Sequence, residues 1–186
     1  AQPWLAEVDA CVEGLVVAAE LRSIDFIDLD KAHLALLLGS APIIEESYQI
    51  DSEEIFIVVN EENPVIELSR AQVSGLFGGA LRDWALVSGE NAEVKVWVYP
   101  AEDEVFQAFA HTFAGLPITP EAHLAHDEAA MLAALEADPY ALGMLTGHMS
   151  ETGVRRVFRV AEVPVLVLLP EVPSSEAISI LSCLEK

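Results

Sequence analysis

IFIVVNEENPVIELSRAQVSGLFGGALRDWALVSG, Ile55 to Gly89, decides how the chain is read. Ile55-Phe56-Ile57-Val58-Val59 is a short, mostly β-branched apolar run. Such a run is the signature of a strand covered on both faces, as in a sheet flanked by helices. Asn60 to Pro64 ends it, because Asn tolerates turn geometry and Pro lacks a backbone donor. Ser69 suits the N-cap of a helix over Arg70–Leu76. Leu68, Val73, Leu76 and Phe77 can face a core, and Gly78-Gly79 stops the helix. Arg82-Asp83-Trp84 then forms a turn in which the indole pins the loop to the body.

Strands and helices alternate on both sides of this stretch, so the class is α/β. Upstream, the spacing of Trp4, Val8, Cys11, Leu15 and Ala18 predicts a helix from Pro3 to Leu21, with Trp4 as a packing residue. Ile24–Leu29 reads as a strand and Lys31–Leu38 as a short helix. Gly39-Ser40-Ala41-Pro42 is a sharp turn, and Asp51–Glu54 an acidic connector. Downstream, Val94–Val98 is a strand and Asp103–Ala114 a helix with Val105, Phe106, Phe109 and Phe113 as its apolar stripe. A loop carries His123 and His126, and Asp127 caps a helix over Glu128–Glu136. Tyr140–Leu145 is a strand, Arg155–Val160 and Val163–Leu169 are two more, and Ser174 or Ser175 caps a last helix over Glu176–Glu185.

The order of residues in the opening stretch resembles the phosphate-type branch of the type II periplasmic binding fold of ABC importers. The matching positions are Val59-Asn60, Asn63-Pro64, Leu68, Val73, Leu76-Phe77-Gly78-Gly79, Trp84, Val87 and Gly89. The resemblance implies two α/β lobes, each a small sheet flanked by helices, with a ligand cleft between them. Residues 1–62 would begin lobe 1, 63–160 would form lobe 2, and 161–186 would return to lobe 1. The hinge would lie near Asn60–Pro64. The resemblance also implies an exported, extracytoplasmic protein that hands a small solute to an ABC permease or another membrane partner.

The anion chemistry of that family is missing. Its phosphate-type members follow the strand corresponding to Val94–Val98 with an Arg, then Ser-Gly-Thr at a helix start. Free N–H groups, the helix dipole and a bidentate Arg would hold an oxyanion there. Here the positions read Tyr99-Pro100-Ala101-Glu102-Asp103-Glu104. Acids suit a first helical turn but repel an incoming phosphate. Of the family's first contact loop only Ser40 matches. By loop position the candidate ligand contacts are Ser40, Ala41, Tyr99, Glu102, Asp103 and Thr146, and the expected ligand is not phosphate. The alternatives are a ligand-free interaction or sensor domain on the same fold, and a divalent-metal-binding protein using His123, His126 and Asp127, with His111 upstream.

Composition narrows the partners. The 186 residues carry 31 Asp and Glu against 9 Lys and Arg, a formal net charge of −22. Such a surface repels nucleic acid and anionic lipid. No apolar run approaches the roughly 20 residues that span a bilayer, so no direct insertion is expected. A chain that begins at Ala1 reads as processed, or as excised from a longer one. No catalytic signature such as GxSxG, HExxH, a P-loop or GxGxxG is present, so the chain reads as non-catalytic and without a cofactor. Cys11 and Cys183 form no metal or redox motif. Because the implied fold returns both chain ends to lobe 1, they either form one staple or remain buried thiols.

Overall fold

A computed structural model describes residues 4, 8, 10, 11, 34–39, 47–149 and 152–184. The chain divides into two compact units, one comprising Ala1–Glu53 with Glu162–Lys186, the other Glu54–Ala161. The division falls inside a strand, ahead of the Asn60–Pro64 corner that the sequence suggests.

The described elements are β1 (Ala35–Leu38), β2 (Ser47–Asn60), α1 (Arg70–Phe77), a 3-10 turn (Trp84–Val87), β3 (Lys95–Val98), α2 (Glu104–Thr112), β4 (His123–Leu124), α3 (Glu128–Ala137), β5 (Ala141–Thr146), β6 (Val154–Leu168) and α4 (Ser175–Leu184). Mixed helix and strand of this kind make the chain α/β.

In the unit spanning Glu54–Ala161 the strand order is β6-β2-β5-β3-β4. β2 pairs antiparallel with β5, from Ile55 opposite Thr146 to Val59 opposite Leu142. β5 and β3 are parallel, as are β3 and β4. Successive residues Ile57, Val58 and Val59 are all buried, as a strand covered on both faces requires. All six residues of β5 are buried too. Gly143 lets α3 lie close, because a Cβ there would meet Met131 Sδ at 2.5 Å.

α1 starts with a reciprocal capping box, in which Gln72 N–H donates to Ser69 Oγ and Ser69 N–H to the Gln72 side chain. Each such cap satisfies donors that the helix itself leaves open. The apolar stripe of α2 builds an aromatic file, with Phe109 centred 4.8 Å from Phe77 and 4.6 Å from Phe113. Trp84 is fully buried, and its Nε1–H donates to Tyr140 O at 3.0 Å.

The corner after β2 is held by two buried asparagines. Asn60 Nδ2 donates to Leu135 O and Glu136 O, and Asn63 Nδ2 donates to Pro139 O. Their Oδ1 atoms accept from Glu62 N–H and Val65 N–H. Arg155 of β6 closes the corner from outside, donating to Asn63 O and Glu61 O.

In the other unit, β1 pairs antiparallel with β6. Trp4 packs with Leu38 and Val165, and α4 packs Ala177 and Leu181 against Val167 and Leu169. Trp4, Val8, Ala10 and Cys11 are helical. The rest of the Pro3–Leu21 helix and the Ile24–Leu29 strand lie outside the described residues. Cys11 and Cys183 form a disulfide, with Cα atoms 5.8 Å apart.

Four expectations are corrected. Ala35–Leu38 is strand, not helix, because pairing with β6 overrides the helical leaning of Ala-Leu-Leu-Leu. Asp51–Glu54 is not a connector but part of a strand that begins at Ser47. Ser52 Oγ donates to Glu162, and Glu54 pairs with Arg159. The two strands after Arg155 are one strand running through Pro164, whose carbonyl still accepts from Gly39 N–H at 2.9 Å. His123 belongs to β4 rather than to a loop.

Two outcomes follow. Asn63→Ala leaves Val65 N–H and Pro139 O without their buried partners and should cost about 2–3 kcal/mol in urea unfolding. The disulfide joins residues 172 apart, so replacing both cysteines by serine should lower stability by about 2–5 kcal/mol, read as a fall in melting temperature.

Candidate functional site

β3 and β5 run parallel, and both end at one edge of the sheet in the Glu54–Ala161 unit. Crevices outside the carboxyl ends of strands are where open α/β sheets receive ligands. Two helices begin near this edge. α2 is capped by Asp103 and α3 by Asp127, and each has a Glu next, Glu104 and Glu128.

Tyr99 follows β3 directly. It is buried, and its hydroxyl donates to Met144 O at 3.0 Å. Burial pushes its phenol far above the ordinary value, and the carboxylates of Glu128, Asp103 and Asp127 push it the same way. These three acids therefore lie near one phenol. Thr146, the last residue of β5, is buried and donates to Glu128 Oε1 at 2.6 Å.

Both helix starts are capped from within. Asp103 Oδ1 accepts from Val105 N–H at 2.9 Å and Phe106 N–H at 3.3 Å. Asp127 Oδ1 accepts from Ala130 N–H at 2.8 Å. Burial raises the Asp103 carboxyl above its usual value, against the two N–H groups that favour its charge.

Of the residues chosen from sequence, Tyr99, Asp103 and Thr146 therefore gather around this edge. Glu102 is exposed beside the α2 cap. Ser40 and Ala41 lie outside the described residues. Glu128, as the partner of Thr146, escapes a reading by loop position. The signal for it is the repeated Asp-Glu pair at 103–104 and 127–128. His123 stacks on Trp97 with centroids 4.8 Å apart, while Asp127 faces its own helix. Among the described residues no three His, Cys, Asp or Glu side chains converge as metal ligands.

No protein-family model and no curated protein matches the sequence. Solved structures do match. A phosphate ABC transporter substrate-binding protein from Clostridium perfringens, solved with bound phosphate, superposes with a TM-score of 0.77 at 13% identity, covering 87% of this chain and 74% of its own. An ABC-type phosphate transport receptor from Vibrio cholerae gives 0.65 at 17% identity, covering 88% and 77%. The chain has a divergent type II periplasmic-binding-protein-like fold. The same fold serves regulation elsewhere: the regulatory domain of a HypT mutant from Salmonella typhimurium gives 0.67 at 7% identity, covering 99% of this chain and 90% of its own. In this type II fold the carboxyl edge of β3 and β5 carries acids that hold the helix-start N–H groups internally.

The raised Asp103 carboxyl sets a pH dependence. Its folded-state value lies above the usual 3.8, so its contribution to stability is complete in stronger acid and is lost as pH rises through the folded value. Asp103→Asn keeps a good cap and cannot ionise. Its stability relative to the wild type should grow as pH rises from that acid range towards neutrality, followed by urea midpoints across the range.

Proposed function

We propose that this chain is a non-catalytic, extracytoplasmic solute-binding domain whose solute is a cationic or neutral organic molecule rather than phosphate. One observation carries the reading: Asp103 Oδ1 already occupies Val105 N–H and Phe106 N–H at the start of α2. Those are the donors a helix start would offer an oxyanion. An arriving phosphate would have to displace a bonded carboxylate among Glu102, Glu104, Asp127 and Glu128. In a site already this acidic, the same field attracts positive charge.

The disulfide supports export, because such bonds persist in oxidising compartments. Among the described residues no helix is long and apolar enough to cross a membrane. A solute-binding domain of this kind would pass its cargo to a membrane partner such as an ABC permease.

A second reading has its own observation. Tyr99 and Thr146 turn their hydroxyls to Met144 O and Glu128 rather than outward. A site satisfied from within suits a ligand-free interaction or sensor domain.

Thermal shift tests both readings. A ligand that binds only the folded state at a hundredfold excess over Kd adds about 2.7 kcal/mol. Phosphate and sulfate should leave the melting temperature unchanged. A member of a panel of choline, putrescine, arginine and neutral sugars should raise it, and Asp103→Asn should weaken a cationic hit. Silence across the panel would favour the interaction domain, and stabilisation by phosphate would overturn both.

A further inference from the structure

The far end of β3 carries a second feature. A cavity of about 240 Å³ opens beside Lys95 and Val96, at the opposite end of the strand from Tyr99. The buried side chains of Leu76 and Val96 give it an apolar floor. Arg82 and Lys95 line it with positive charge, and Glu93 and Glu121 with negative charge.

The walls are fixed in place. Val94 N–H donates to Arg82 O and Thr119 N–H to Phe77 O, and Arg82 Nε donates to Gly79 O at 3.0 Å. Gly79 has φ +74°, and a Cβ there would meet Thr119 Oγ1 at 2.8 Å. The glycine therefore leaves room for that hydroxyl.

Thr119 is the informative residue. It lines the cavity and is only 7% exposed. Its oxygen accepts from Glu121 N–H at a long 3.4 Å, and among the described residues its proton has no acceptor. A buried hydroxyl whose donor stays unused marks a place that an acceptor should occupy. The nearby cations are open to exchange. Arg82 pairs with Glu121 at side-chain exposures of 63% and 59%, and Lys95 with Asp138 at 48% and 23%. Ion pairs this exposed hold little energy, so a ligand carboxylate can compete for either cation.

We propose that this cavity binds a small α-amino acid as its zwitterion. The carboxylate takes the Thr119 hydroxyl together with Arg82 and Lys95. The ammonium faces Glu93 and Glu121, and a short apolar side chain lies over Leu76 and Val96. Both charges are needed, because the wall offers two cations and two carboxylates, and a lone anion or cation would meet like charge as well as opposite.

Titration with L-alanine, L-alaninamide and N-acetyl-L-alanine, followed by calorimetry and by NMR, tests this. L-Alanine should bind and shift signals of Trp97 and His123 while leaving Tyr99 unmoved. Each blocked analogue should bind at least tenfold more weakly. Thr119→Val, which keeps the shape, and Arg82→Gln, at an exposed position, should each weaken L-alanine at least fivefold. No binding of L-alanine at tens of millimolar would overturn the proposal. So would equal binding of the blocked analogues, or binding that neither substitution alters.

Discussion

Two buried amides, Asn60 and Asn63, hold together what the rest of the Glu54–Ala161 unit depends on. A strand that ends in a buried corner leaves backbone groups that must be paired or cost the chain heavily. Asn60 and Asn63 do this with both ends of each amide. Their nitrogens reach the end of α3 and Pro139, and their oxygens take the N–H groups of the corner itself. The segment Asp138–Tyr140 is thereby fixed. Tyr140 O then receives both Trp84 Nε1–H and Lys95 N–H. One corner thus sets where β5 begins, where β3 starts beside it, and where the Trp84 turn docks. The parallel register of β3 and β5, and so the edge where both strands end, follows from that.

At that edge the same logic of satisfaction governs the helix starts. A helix start presents N–H groups that need acceptors, and either a ligand or the chain can supply them. Here the chain supplies them through Asp103 and Asp127. The caps satisfy these N–H groups from within, and the first turns carry further carboxylates, where the helix dipole favours them. The fold superposes on that of a protein solved with bound phosphate, and the helix starts at this edge carry carboxylates. The backbone geometry rests on the asparagine corner and on an aromatic core that meets the α2 cap at Phe106, whose ring packs near Phe109 while its N–H donates to Asp103.

Much of this was legible from residues. Strand Ile55–Val59, the Ser69 cap, the indole of Trp84 and the stripe of α2 each rest on a local rule that tertiary contacts reinforce. Tyr99, Asp103 and Thr146 could be chosen because loops at strand ends are where sites form. The misses have a common cause. Ala35–Leu38, Asp51–Glu54 and the passage through Pro164 are strands because of partners distant in sequence, and no local pattern reports a partner. Glu128 was hidden for the same reason, since its link to Thr146 crosses from a helix start to a strand end. The disulfide likewise depends on where two remote segments meet.

The sparse positive charges give a last view of how an acidic chain of this kind stays folded. Among the described residues there are six Lys and Arg side chains, and each ties segments far apart in sequence. Arg155 donates to the Glu61–Val65 corner, Arg70 to Thr112 O, and Arg156 to Gly147 O while lying over Phe56. Arg82, Lys95 and Arg159 pair with Glu121, Asp138 and Glu54. Exposed ion pairs are individually weak, but a net charge of −22 makes a cation at a junction useful beyond its single contact. It lowers the local repulsion between acidic segments that the fold must bring together. Three of the six, Arg155, Arg156 and Arg159, sit within five residues of β6, the strand that lies beside β2. Positive charge is thus concentrated along the strand whose neighbours include the Asn60–Asn63 corner, whose two amides are buried and hydrogen-bonded.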